Sequence, residues 1–421
     1  ICGLSEEDIV GSARLYASGN NAAIQWGLAF DQQVSAMALN LAVCDLMAIC
    51  GNIDRPGGNI LVHNAFEINA GYASGEHLTP PEWRAKKLNN NFALSIEGGD
   101  FVAHASSDGL LQAIEDGFPY PIKMMWIQSS NTLSCPSQDS PRVMKAMQNI
   151  PFIVNADPYI TPTSVALADI LLPVAMSAER NSARTWWSPC RAMVKVTDFY
   201  EVKSDEQIII ELGKRLNPDI WNEDTYTDLH DFIADVRLAR EMTFAELRDK
   251  VYHKRGVTYR KYEKGLMRAD GQPGFNTRTG RIELYCLGYA AHGDDPLPYY
   301  MEPPYSPVST PELAEEYPLV LTSGARTYVS FHSEHRQIRS LRAMHPDPLL
   351  DVHPQTAAAL GIRDGAWVWI ETPWGKCTQK AHVTKTTLPG VVHAEHAWWF
   401  PEQEAEEPHL YGHGESNINT A

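Results

Sequence analysis

Residues 319–337 read LVLTSGARTYVSFHSEHRQ, and this stretch decides the fold. Leu319, Val320 and Leu321 form a short apolar strand of the buried kind. Ser323 and Gly324 break it, because glycine lets the chain turn tightly and lets a ligand approach the main chain. Arg326, His332, Ser333, His335 and Arg336 follow within a few residues. Guanidinium, imidazole and hydroxyl groups at this density suit an anionic or heteroatom-rich ligand. Taken alone, a surface hairpin with solvated basic side chains is the better reading.

Further segments follow in order: HPQTAAALGIRDGAWVWIETPWG at 353–375, LPGVVHAEHAWWFPE at 388–402 and ESNIN at 415–419. Short apolar runs at 319–322, 349–352, 366–371, 378–383 and 391–394 alternate with turns at Gly361, Gly365, Gly375 and Gly390. Many short strands closed by glycine turns predict a small barrel. With TSGARTYVSFHSEHRQ, this whole run from Tyr317 to Ala421 resembles the C-terminal pterin-binding domain of molybdopterin oxidoreductases of the dimethyl-sulfoxide-reductase family. The resemblance implies a double-psi β-barrel there.

Upstream, residues 121–130 (PIKMMWIQSS) predict a buried parallel strand that runs into a polar turn. A helix starts near Asp139 with Pro141 in its first turn and ends near Gln148. Residues 152–154 predict a second strand, and Asn155 to Pro158 a turn. Strand, helix, strand in this order implies a doubly wound parallel sheet, with ligands beyond the C-terminal strand ends. Ser129, Ser130 and Asn131 fall at one such end, and Asp157, Thr161 and Thr163 at the next. Two readings of Asp157 stand level from its chemistry: an acceptor for ribose hydroxyls or guanine N–H groups, or the cap of a turn before Pro158. The run DPYITPTSVALADILLP at 157–173 also resembles the family, in which this half-domain binds a guanosine end of the cofactor. Glu179 and Asn181 match a further family position, but Ser182 and Ala183 stand where Gly-Thr belongs, so nothing is assigned there.

Nearer the N-terminus, residues 5–18 predict a helix capped by Ser5, residues 23–27 a strand, and residues 31–50 a helix ended by Gly51. The loop GNIDRPGGN at 51–59 carries a Pro-Gly-Gly turn and resembles a family signature, with Arg55 read as solvated. Residues 64–100 read as a long loop. Residues 206–216 predict an amphipathic helix, 226–251 a polar helical stretch with a break at Met242-Thr243, 274–286 a turn and strand, and 295–307 a stiff linker. The segments expected are an inserted α/β part with its loop (1–100), a nucleotide-binding α/β half-domain (101–218), a helical connector and linker (219–312) and the barrel (313–421).

Composition narrows the function. With 421 residues, 44% of them apolar, the chain is long enough for two or three cored domains. Its formal net charge of −17 speaks against nucleic acid, which needs a basic stripe. No apolar run is long enough for a transmembrane helix. Seven cysteines, at 2, 44, 50, 135, 190, 286 and 377, form no CxxC pair. That scatter speaks against a disulfide framework, a zinc site or an iron–sulfur cluster held here.

The resemblance implies a bis(molybdopterin guanine dinucleotide) cofactor carrying molybdenum or tungsten. Its contacts are expected from Ser130, Asn131, Asp157, Thr161, Thr163, Ser323, Gly324, Arg326, His332, Ser333, Arg336, Trp399, Glu402, Asn417 and Asn419. For Trp399 and Glu402, packing in the barrel core explains the AWWF run equally well, and for the tail asparagines so does a frayed terminus. The family's metal-ligating residue and its [4Fe–4S] cysteines lie upstream of the segment where Ile1 falls, so no catalytic residue is named. A missing N-terminal part of the same subunit, an iron–sulfur electron-transfer subunit and a small-molecule substrate are the expected partners. The FHSEHRQ, WWFPE and GFNTRTGRIELY forms look closest to a branch of thiosulfate, polysulfide and arsenate-type reductases, acetylene hydratase and catechol dehydroxylases. Anaerobic chemistry on a small molecule is the expectation, in the cytoplasm or on the exported face of a bacterial membrane. The rival readings are a molybdenum-free redox scaffold, such as the large subunit of respiratory complex I, and an inactive cofactor-binding fragment.

Overall fold

The computed structural model describes residues 3–19, 21–61, 81–84, 86, 88, 105, 107–185, 189–222, 229–254, 256–291, 293–324 and 327–421. Most of the long loop expected at 64–100 lies outside them. The chain forms two compact units, one of Ile1–Tyr72, Ala183–Ala192 and Ile233–Pro304, the other of Ala73–Ser182, Met193–Phe232 and Tyr305–Ala421.

In the first unit, α1 (Glu6–Ser18) begins at a reciprocal cap in which Ser5 and Asp8 bond each other's main chain, with acids in the first turn to meet the helix dipole. Helix α2 (Ala36–Ile49) starts later than its apolar pattern predicts, after turns at 31–35. The strand expected at 23–27 does not form. Both main-chain groups of Ile24 instead bond the Asn59 side chain, at 2.8 Å each, so one amide stands in for a neighbouring strand. The 51–59 loop is anchored by Asp54, fully buried and at φ 53°. Its carboxylate accepts from Lys261 N at 2.7 Å and pairs with the Lys261 ammonium. Residues 274–286 form turns and no strand, because Thr277 and Glu283 bond the local main chain and Gly274 and Gly280 take positive φ.

In the second unit, β1 (Met125–Gln128), β2 (Ile153–Asp157) and β3 (Ile170–Pro173) form a parallel sheet in that order. Helix α3 (Ser140–Met147) follows β1 and is capped by Asp139 with proline in its first turn; α4 (Pro162–Leu167) follows β2. Ile127, Leu133, Met147, Ile150, Ile153 and Leu167 form the core of this layer. Strand β2 is longer than its apolar run: Asn155, Ala156 and Asp157 belong to the strand, so the acid sits at its C-terminal end. The paired strands β4 (Ser182–Arg184) and β5 (Arg191–Met193) fall mostly in the first unit, and α5 (Asp205–Leu216), capped by Ser204, belongs to the second.

The C-terminal strands are β6 (Val320–Ser323), β7 (Leu349–Val352), β8 (Trp367–Thr372), β9 (Gly375–Val383) and β10 (Val391–Ala394). They form one mixed sheet in the order β6-β10-β7-β9-β8. Leu350, Val352, Ile370, Cys377, Val392 and Ala394 alternate inward, and Ile418 of the tail closes the core. Gly375 begins a strand rather than marking a turn; a Cβ there would lie 2.4 Å from the Thr420 carbonyl oxygen, so the tail packs directly on β9. The last turns, α6 (His413–Ser416) and residues 418–420, are bonded into this unit and are no frayed end.

Candidate functional site

The site is built where the loops after β1 and β2 meet the loop after β6 and the chain's tail. Chain reversal after β1 puts Ser129 at φ 47°, with its hydroxyl and the Gln128 amide on Asp205 of α5. Ser130 bonds Thr132 at 3.1 Å. Asn131 is 7% exposed; its carbonyl accepts from Thr163 at 2.7 Å, and its Nδ2 is buried with no hydrogen-bond partner. Thr163 also accepts from the Leu133 N–H, so it ties α4 to the β1 loop. Thr161 caps α4 reciprocally with Ser164. Both threonines therefore have local partners and hold the loops in shape.

Asp157 is buried and accepts from Tyr159 N at 2.9 Å. Burial chiefly, with Glu334 and Asp205 adding repulsion, pushes its carboxyl up to about 6. On the barrel side, Ser323 ends β6 exposed and Gly324 follows at φ 98°. Arg326 lies outside the described residues. His332, at φ 52°, bonds His396 at 2.7 Å. The Ser333 N–H donates to the Cys135 thiol of the β1 loop, and its carbonyl accepts from Trp399 Nε1 at 3.0 Å. Trp399 is thus a buried support.

Arg336 is the unusual group. It is 5% exposed, and its guanidinium carbon lies 3.9 Å from the centroid of the Trp398 ring. It donates to the carbonyls of Ala397 (3.2 Å) and His332 (3.0 Å). Among the described residues no carboxylate forms an ion pair with it. Burial pulls its pKa down to about 10, so the charge persists at neutral pH. The Trp398 indole N–H is also buried without a hydrogen-bond partner. Glu402 points elsewhere, accepting from Arg342 at 2.7 Å near the surface. Asn417 and Asn419 both bond the Ser134 carbonyl, and Asn419 also the Cys135 carbonyl, so the tail clamps the β1 loop.

A buried cation that ion-pairs with no described carboxylate and feels Glu395 only at longer range, together with two buried unpartnered donors among donor-rich loops, suits an anionic ligand rich in acceptors. Asp157 keeps acceptor capacity for N–H groups. This donor and acceptor set fits a nucleotide-bearing pterin. Residues 319–420 match the family description "Molydopterin dinucleotide binding domain" and residues 10–215 match "Molybdopterin oxidoreductase". The chain belongs to the molybdopterin oxidoreductases. Within this family it is 31% identical to a dopamine dehydroxylase of Eggerthella lenta, over 96% of this chain and 47% of that protein. It is 29% identical to the molybdopterin-containing subunit of a thiosulfate reductase of Salmonella typhimurium, over 82% of this chain and 48% of that one. The structure of acetylene hydratase from Pelobacter acetylenicus superposes with a TM-score of 0.88 at 27% identity, covering all of this chain and 60% of that one. The fold is that of the dimethyl-sulfoxide-reductase family. The chain spans about half the length of the curated relatives it matches.

Asp205, Glu334, Cys135, His396, Trp398 and His413 also shape the site of this molybdopterin oxidoreductase, and none stood out in sequence. Trp398 carried a signal, the apolar AWWF run, but not its orphan N–H. Elsewhere in the unit, a cavity of about 360 Å³ opens beside α5. Its Lys203 and Arg180 are already paired with Glu211 and Glu206.

Proposed function

We propose that this chain supplies the nucleotide-binding layer and pterin-binding barrel of a molybdenum or tungsten oxidoreductase that reduces a small molecule in anaerobic metabolism. The observation that carries this is Arg336, a buried cation stacked on Trp398, with the unpartnered donors of Asn131 and Trp398 in the same unit. Asp157 takes the guanosine end of one bis(molybdopterin guanine dinucleotide) moiety, and His332, Ser333 and Arg336 take its pterin and phosphate heteroatoms. Asn131, Asn417 and Asn419 hold the loop edges. Ser130, Ser323 and Gly324 stand at the same strand ends, and Arg326, outside the described residues, is proposed on its sequence alone. When bound, such a cofactor carries the metal that exchanges electrons with the substrate. The protein's part is position, charge and exclusion of water. On this reading the metal-binding side chain and a [4Fe–4S] cluster come from residues other than those of this chain. An electron-transfer subunit is the natural partner. Relatives named dopamine dehydroxylase and thiosulfate reductase support reductive chemistry.

The deciding experiment is metal and nucleotide content of the native polypeptide that contains this chain. Molybdenum or tungsten with two guanines released per metal is the expected result. Iron alone, or no metal in a folded full-length protein, overturns the reading in favour of a molybdenum-free scaffold.

A further inference from the structure

His413 lies in the tail, in a segment whose family resemblance singled out only the asparagines after it. Its ring is 4% exposed and sits among Ser134, Ser140 and Asn417, all equally buried. The hydrogen-bond pattern determines its tautomer. Asn417 Nδ2 can only donate, so His413 Nδ1, 3.1 Å away, must accept. Ser134 Oγ, 3.2 Å from the same nitrogen, donates as well. On the other side of the ring, the Ser140 hydroxyl gives its proton to the Leu133 carbonyl at 2.9 Å, so at 2.9 Å from Nε2 it accepts. The ring is therefore neutral with its proton on Nε2.

This ring joins two loops far apart in sequence. Toward the nucleotide layer it holds Ser134 and Ser140, the floor of the loop that carries Asn131 and Cys135. Toward the barrel it holds Asn417, whose Oδ1 accepts from the Ala397 N–H at 3.1 Å, and the Ala397 carbonyl accepts from Arg336 Nε. An unbroken hydrogen-bonded path runs from Ser140 through His413, Asn417 and Ala397 to Arg336.

We propose that His413 is a positioning residue: its Nδ1, which accepts from both Ser134 of the β1 loop and Asn417, sets the spacing between the β1 loop and the Arg336 loop for a dinucleotide ligand that both loops must grip. The ligand part rests on the reading above; the positioning part does not. A 1 Å error in such spacing is enough to weaken a site gripped from two sides.

The test compares two variants of the full polypeptide. His413→Asn keeps an acceptor near the Nδ1 position, and His413→Gln keeps a donor near Nε2. Amide hydrogen exchange is measured by mass spectrometry, and guanine nucleotide release after dilution is followed in parallel. His413→Gln is expected to raise exchange about tenfold in both 131–140 and 332–336, with β6 to β10 unchanged, and to release nucleotide about tenfold faster than wild type. His413→Asn is expected to stay within about threefold of wild type in both measurements. Exchange that rises only in the tail, or equally throughout both variants, overturns the positioning role. If the wild-type polypeptide carries no guanine nucleotide, the cofactor reading fails, and the paired exchange of the two loops still decides the claim for His413.

Discussion

Asp157 shows how a single residue trades stability for binding. Its carboxyl is held near 6, above the ordinary carboxylate value of 3.8, because burial and the facing Glu334 and Asp205 disfavour its charge. The folded protein therefore binds more protons at this group than the unfolded chain between about pH 4 and pH 6. Stability falls as pH rises through that window, and the full cost, about 3 kcal/mol, stands above it. Asp157→Asn should raise the Tm of cofactor-free protein at pH 7 and leave it unchanged below pH 4. The same change should weaken guanine nucleotide retention, read by nucleotide stoichiometry. An unchanged stoichiometry would make Asp157 a turn cap and nothing more. In sequence the two roles of this residue were level, because both need a carboxylate before Pro158; its bond from Tyr159 N is one a turn cap makes, and the nucleotide role is the proposal that the stoichiometry tests.

At the scale of elements, the β1 loop is shaped by groups that belong to other elements. Thr163 of α4 donates to Asn131 and accepts from Leu133, both within the loop and all fully or nearly buried. Thr163→Val keeps the volume and removes both bonds. It leaves a main-chain N–H and an amide carbonyl buried and unpaired, at about 3 kcal/mol. Chemical denaturation should show that loss, with faster exchange across 131–135. The helices themselves were legible, since caps and prolines are local: Ser5 caps its helix as the sequence predicts, and the helix expected to start near Asp139 is capped by it. Two strands were misread, at 23–27 and 274–286. Strand propensity there is met by no neighbouring strand, and the Asn59 amide or local turn bonds satisfy the main chain instead.

Across the whole molecule, long-range polar contacts decide the arrangement of segments within each unit. Asp54 and Lys261 are 207 positions apart in the chain and form a buried ion pair, the lysine also bonding the Thr258 carbonyl at 3.1 Å. Asp54→Ala strands a buried ammonium and should cost about 3–5 kcal/mol in denaturant unfolding, whereas truncating both partners together should cost less. The acidic balance of the chain as a whole, net −17, makes its few buried cations conspicuous. Arg336 is the one on which the proposed ligand site rests, because its hydrogen bonds go to carbonyls and its face to an indole.

The sequence by itself determined the order of layers, a parallel α/β sheet and then a mixed sheet of short strands, because alternation, caps and glycine turns are written locally. It also carried the family, through ordered motifs from 157–173 and 319–419. Only the tertiary structure showed which polar groups already have partners. Thr163 and Trp399 look like contacts in sequence and are occupied by partners, while His413 looked ordinary and bridges two loops, and Trp398 carries a buried N–H without a hydrogen-bond partner. The physical reason is that a polar group's role depends on which of its bonds are already met, and those partners come from residues up to 285 positions away.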